Sequence, residues 1–259
     1  MSRAPGSSMP RLGNEIVSIF VGPDSEVFKV HKTLICMIDF FDRAFNGRFL
    51  ESSGEVSLPD DDPSVIHLLV DYLYLGNIPC PPTIHLLPEA AIELKKKHIS
   101  NLFSLYVFAE KIDDAALMNK TMDIVQSLCH AESFAITLEA LLAAYENTKP
   151  NSKLRLFTSE LFICVHRQQN NGEIPADEIR ALVASIEDQD LLVDLFMKNG
   201  ERNLRDPRIR YEDNFCYLHS RCHLVGNCQT PHCNMGMTFE DVGTDFDDVV
   251  GPIDLYRGF

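Results

Sequence analysis

Seven side chains near the C-terminal end could bind a soft metal: Cys216, His219, Cys222, His223, Cys228, His232 and Cys233. Zinc takes four nitrogen or sulfur ligands in a tetrahedron, commonly from Cys-x2-Cys or Cys-x2-His pairs. Cys216-Tyr-Leu-His219 has that local spacing, and Cys228 with Cys233 completes a set of four. Cys222 or His223 can substitute within it. No cofactor is the first expectation; a structural zinc, if one is held, would take Cys216, His219, Cys228 and Cys233. The overall spacing fits no regular zinc finger, so a second reading stands beside it, a polar, partly buried turn with reduced thiols. No other cofactor is expected.

Catalytic chemistry finds little to work with. No phosphate-binding loop, Gly-x-Ser-x-Gly or His-Glu-x-x-His is present, and no Cys/His pair sits in a catalytic context. His31 has no nucleophile or carboxylate at a telling spacing, so it reads as a helix-start histidine bonded locally and packed beneath a sheet. Asp60-Asp61-Asp62-Pro63 reads first as a helix entry, and as a metal site only if other oxygens converge on it. Lys95-Lys96-Lys97-His98 is a single short basic run and reads as a solvated helix face. Cys36, Cys80, Cys129 and Cys164 read as small core or near-surface residues. An enzyme is not expected.

Charge narrows the partners. The 259 residues carry a formal charge of −15. A surface that acidic repels phosphate backbones and anionic lipid heads, so neither nucleic acid nor a membrane surface is an expected partner, whereas basic or amphipathic proteins are. No apolar run approaches the roughly 20 residues of a membrane span. Residues 1–13 lack the apolar core of a secretory signal and read as a disordered lead-in. The expected location is intracellular, cytoplasmic or nuclear, where the eight cysteines stay reduced. A 45% apolar content is enough for a real core.

The elements read as α+β. Residues 15–21 and 26–30 are β-branched and aromatic and flank Gly22-Pro23-Asp24-Ser25, which predicts a β-hairpin. Val17, Ile19 and Val21 share one face, Ile16 and Phe20 the other, so both faces are expected to be covered. Leu34, Ile38, Phe41 and Phe45 then recur at helical spacing, with Gly47 as a stop and Asp39 as the expected cap of a second short helix. Phe40, Phe41 and Phe45 are expected in the core, or at one face as a self-association surface. Residues 55–58 predict a short strand. Asp62-Pro63 predicts a helix with Val65, Ile66, Leu69, Tyr72 and Leu73 on its buried side, ending at Gly76, and Ile78-Pro79 an edge strand. From 99 onward the pattern is helical: 99–110, a helix capped by Asp113 or Asp114, one capped by Ser133, one after Asn151, and two short ones starting at Pro175 and Asp188 and ending at Asn199-Gly200. The acidic tail from 201 is expected to be largely irregular.

Into that order fall FKVHKTLI at 28–35, FFDRAF at 40–45, RFLES at 48–52, VSLPDDDP at 56–63 and LVDYLYLGNI at 69–78. In combination these resemble the BTB/POZ domain. LYVFAEKIDDAALMNKTMD at 105–123 is similar to the helical continuation of fungal BTB proteins, as is the stretch with Lys153-Leu154-Arg155. The resemblance implies a short mixed sheet flanked by helices over 14–125, an α-helical extension over 126–200 and an irregular Cys/His-containing acidic tail over 201–259. It departs from the family at Met37-Ile38-Asp39, where a Ser-centred break is usual, and 31–45 reads one residue short, which implies a tighter corner. Only about 14 residues precede the first strand, too few for the N-terminal strand and helix that dimeric relatives exchange, so that form of dimer is not expected.

The resemblance implies a protein-binding adaptor or scaffold. In relatives that adapt substrates to cullin-type ubiquitin ligases, a hydrophobic-x-Glu element holds the cullin, and here Phe49-Leu50-Glu51 occupies that loop. An aromatic anchor fills a pocket while the carboxylate sets orientation. Self-association without a ligase is the alternative. The same three residues can instead close the core and face water.

Overall fold

The computed structural model describes residues 12–47, 53–83, 86–132, 134–170, 177, 180, 183–184, 186–201, 203–209 and 217–220. Strands β1 (Ile16–Val21) and β2 (Glu26–His31) form the predicted hairpin, in register from Val21 opposite Glu26 to Ile16 opposite His31. Gly22 opens the turn with φ +72°, a left-handed conformation that costs glycine little. Its N–H donates to the Leu58 carbonyl at 3.0 Å. Added there, a Cβ would stand 3.3 Å from the ring of Pro63.

Strand β3 (Glu55–Leu58) lies on the other side of β1 and runs parallel to it, giving the order β2-β1-β3. A parallel neighbour cannot be reached through a tight turn. The crossover contains two short helices, α1 (Lys32–Ile35) and α2 (Asp39–Asn46). Leu34, Ile38, Phe41 and Phe45 are all buried, as their spacing predicts. Asp39 does not cap α2. Ile38 stands at the cap without a side-chain bond, and Asp39 is the first helical residue, where its charge suits the helix dipole.

The sheet buries one face only. Val17, Ile19 and Val21 align with Val30, Phe28, Val56 and Leu58, and all seven are buried. On the opposite face Ile16 is 45% exposed, Val27 49%, and Phe20 partly buried. The expected cover on both sides is therefore corrected. Apolar side chains on both faces of a strand do not by themselves say that a second layer exists.

Helix α3 (Pro63–Leu75) starts as its sequence predicts: Asp62 Oδ1 accepts from the Ser64 N–H at 2.8 Å, and Pro63 occupies the first turn. Val65, Ile66, Leu68, Leu69 and Leu73 are buried, Tyr72 partly so, and Gly76 ends the helix at φ +70°. Ile78 is buried in a loop, not in an edge strand.

Helix α4 (Pro88–Lys111) begins eleven residues before the predicted start. Its front part is mostly exposed, so it carries no buried stripe to read. Helix α5 (Ala115–Ala131) is capped by Asp114, whose Oδ1 accepts from Ala116 and Leu117 N–H at 3.0 Å. Helix α6 (Leu138–Glu146) is capped by Thr137 and not by Ser133, which lies outside the described residues. Helix α7 (Lys153–Gln169) is capped by Ser152, directly after Asn151 at φ +68°. Helix α8 (Gln189–Gly200) is capped by Asp188 as predicted, while the start at Pro175 lies outside the described residues. Arg155 is buried but well served: it bonds the Tyr145 carbonyl at 2.6 Å, the Thr148 carbonyl at 2.5 Å and the Thr148 hydroxyl at 3.1 Å. This ties the end of α6 to the start of α7.

Among the described residues one apolar cluster runs from Val17 to Leu218. The architecture is a small mixed sheet with flanking helices, continued by a helical extension. Among the described residues no helix is long and apolar enough to cross a membrane.

Two measurements check this packing. Phe41 is fully buried and stacked on Phe45, while its neighbour Phe40 is 37% exposed. Urea unfolding of Phe41→Ala is expected to show a loss of about 3–5 kcal/mol, and Phe40→Ala a loss under about 1 kcal/mol. His98 is buried on α4, its Nε2 has no hydrogen-bond partner among the described residues, and burial lowers its pKa from the ordinary 6.5. The unfolded chain therefore binds this proton more readily than the folded one. Stability contributed by neutral His98 is present above pH 6.5 and lost as pH falls toward the lowered folded value. His98→Leu should lose less stability than wild type between pH 7 and pH 5 in the same urea assay.

Candidate functional site

The corner between α1 and α2 leaves an exposed apolar spot. Spacing buries most of this crossover and leaves Met37, at 47% exposure, and Phe40 outside. The Phe40 ring stands edge-on to buried Phe41, with centroids 5.0 Å apart, so the core beneath supports it. The chain then leaves α2 for the segment carrying Phe49, Leu50 and Glu51, which lies outside the described residues. It returns at Gly54, whose carbonyl accepts from the Ser18 N–H at 2.9 Å before β3 begins.

His31 is structural. Its Nδ1 lies 2.6 Å from the Tyr74 hydroxyl, and its backbone N–H donates to the same oxygen at 3.1 Å. The partner is the last turn of α3, 43 residues away, and not a local group. The acidic run at 60–62 is structural too. Asp62 caps α3, and Asp61 pairs with Lys111 Nζ at 2.8 Å, joining the α3 entry to the end of α4. In the basic run, Lys95 pairs with Glu132 at 2.6 Å and His98 is buried, so only Lys96 and Lys97 fit the solvated face expected there.

Among the expected zinc ligands only His219 is described; Cys216, Cys228 and Cys233 lie outside the described residues, as do the alternatives Cys222 and His223. His219 is buried, with Nε2 2.8 Å from Asp123 Oδ1. A carboxylate on one ring nitrogen fixes the ring's orientation. Among the described residues no group of three or more His, Cys, Asp or Glu is placed to hold a metal ion. Burial pushes the Cys129 thiol up to about 12 and the Cys164 thiol to about 11, which leaves both as protonated, inert core residues.

The sequence reading missed the polar row that receives His219. Asn119, Asp123 and Gln126 lie on one face of α5 at spacings of four and three, and all three are buried. Each meets the chain that follows α8. Gln126 Nε2 donates to the Pro207 carbonyl at 2.8 Å. Asp123 holds His219. Asn119 grips the backbone of Ser220 from both sides: Oδ1 accepts its N–H at 2.7 Å and Nδ2 donates to its carbonyl at 3.2 Å. Three buried polar residues at helical spacing were the available signal, hidden because Leu117, Val125 and Leu128 dominate the same helix.

Residues 203–209 and 217–220 therefore cross the helices and are not a detached tail. Cys164 of α7 donates to the Arg205 carbonyl at 3.4 Å, and Arg208 bonds Gln168 of α7 at 3.2 Å while paired with Asp206 at 2.7 Å. The Tyr217 hydroxyl bonds Glu160, and Lys153 Nζ lies 5.9 Å from its ring centroid. Burial, then the Glu160 charge, push the tyrosine pKa up and keep it a donor. Glu160 also pairs with Lys198 of α8 at 2.6 Å.

Residues 17–107 match the family model of the BTB/POZ domain. No curated protein matches the chain. The match spans the sheet, α1 to α3 and most of α4, which is the part built on the β1 core. Residues 17–107 are thus a BTB/POZ domain, of a family that generally mediates protein–protein interaction and not catalysis, followed in this chain by a helical extension.

Proposed function

We propose that this chain is an adaptor that couples a cullin-type ubiquitin ligase scaffold, through its BTB/POZ domain, to a protein held by the helical extension. The observation that carries the reading is the exposed pair Met37 and Phe40 at the α1–α2 corner. An aromatic ring held in place by the core and open to solvent loses little side-chain entropy on binding, which suits a hot spot. Two residues separate the end of α2 from Phe49, Leu50 and Glu51, the hydrophobic-x-Glu pattern of cullin-binding relatives. A chain of charge −15 attracts basic partner surfaces and speeds encounter with them.

The same corner also favours a second reading, self-association through Phe40 with no ligase. One experiment separates the two. Wild type, Glu51→Ala and Phe40→Ala are each used to capture cullin scaffolds, and the mass of each purified protein is measured in solution. Under the adaptor reading, wild type retains a cullin and each variant retains it at least about tenfold less well. Absence of any cullin on wild type ends that reading. A dimer that Phe40→Ala converts to monomer establishes the other.

A further inference from the structure

Helix α8 is apolar on two sides. Leu191 and Leu195 are buried where the helix packs on α7, and Leu192 is partly buried beside them. Those three supply what the core takes from this helix. Three more large apolar residues stay outside: Val193 is 59% exposed, Phe196 57% and Met197 68%. Their i, i+3, i+4 spacing sets them side by side on one outward face. A lone exposed apolar residue needs no account, but a contiguous group of three marks a contact surface. Phe196 offers an aromatic anchor, and Met197 a flexible side chain that adapts to what packs on it.

Charge decides what fits there. From 187 to 201 the chain carries Glu187, Asp188, Asp190, Asp194 and Glu201 against one cation, Lys198. Asp188 caps the helix and Asp194 accepts from the Tyr145 hydroxyl at 2.6 Å. Glu187 is exposed, and Asp190, with its side chain 70% exposed, stands one turn before Val193. The nearby cations are committed. Lys198 pairs with Glu160 at 2.6 Å and Glu201 at 3.2 Å, Arg167 donates to the Glu201 carbonyl at 2.8 Å, and Arg155 is buried with a nitrogen 3.6 Å from Asp190. The face is therefore apolar with an acidic border at its N-terminal end. Two occupants from the chain itself carry the wrong charge: a second copy brings −15, and residues 221–259 hold six acidic residues against two basic.

We propose that the outward face of α8 docks an amphipathic helix of a partner protein, one with apolar residues at i, i+3 and i+4 and with Lys or Arg flanking them toward Glu187 and Asp190. The inference deepens the reading of the helical extension as the half that holds another protein. It stands on α8 alone, so a chain that captures no cullin would still dock this helix.

The test titrates the full chain against a fluorescent Leu/Lys peptide about 18 residues long, with Leu at helical spacing. A second peptide keeps every Leu and replaces each Lys with Glu. By anisotropy the Leu/Lys peptide is expected to bind wild type, and the Leu/Glu peptide at least about tenfold more weakly. The pair Phe196→Ser, Met197→Ser should weaken Leu/Lys binding at least about tenfold. The pair Glu187→Gln, Asp190→Asn should weaken it about threefold or more and flatten its salt dependence. All four side chains are exposed, so both variants are expected to unfold at the urea concentration of wild type. Should the Phe196 and Met197 pair fail to fold, the charge pair and the Leu/Glu peptide decide. Unchanged binding by either folded variant, or equal binding of the two peptides, overturns the proposal. No binding to wild type, the outcome if another part of the chain covers the face, overturns it as well. So does a wild-type dimer that Phe196→Ser, Met197→Ser converts to monomer, which makes a second copy the occupant.

Discussion

Everything in the front half of this chain answers to the parallel pairing of β1 with β3. Val17, Ile19 and Val21 form the buried row of the central strand, and β3 must lie beside them in the same direction to cover Val56 and Leu58. That direction rules out a tight return, so the chain crosses over through α1 and α2. The crossover has to turn between two short helices, and a turn of that kind cannot bury every apolar residue it carries. Met37 and Phe40 are the large apolar residues of this crossover that stay exposed.

The back half solves a different problem. Helix α5 carries a row of buried polar side chains that bond residues from after α8. Asn119, Asp123 and Gln126 would each bring a desolvation cost of roughly 1–3 kcal/mol if left dry and unpaired. Pairing them with residues 207, 219 and 220 turns that cost into specificity for one docked segment. Around it, the ion pairs Glu160–Lys198 and Asp206–Arg208 hold α8 and the following loop against α7 and its neighbours.

The legible parts of the fold were those with local causes. The hairpin turn at 22–25, the Asp62-Pro63 entry, the Gly76 exit and the cap at Asp188 each act within a few residues, so sequence alone locates them, and it narrows the α5 cap to Asp113 or Asp114. Elsewhere the cause is distant. The cover over Ile16 and Phe20 depends on what lies across the sheet. The front of α4 is mostly solvated and shows no apolar period. The cap of α6 is Thr137, whose hydroxyl accepts from the Ala140 N–H, four residues beyond the Ser133 that the sequence reading expected. For the candidate sites, Phe40 was legible as an apolar residue but not as the exposed one of three phenylalanines. His219 was read as a ligand from the residues around it, whereas its described partner, Asp123, is 96 residues earlier.

Helix α4 is the stiffest element of the fold by its length and composition. It has 24 residues, proline only at its first position, and no glycine. At 1.5 Å per residue it is a rod of about 36 Å. Lys111 near its far end is clamped to Asp61 at the entry of α3, and the same helix packs on α5. With no glycine and no internal proline to bend it, the rod holds its two ends at a fixed separation, so a displacement at the Lys111 end is transmitted along the helix without being absorbed on the way.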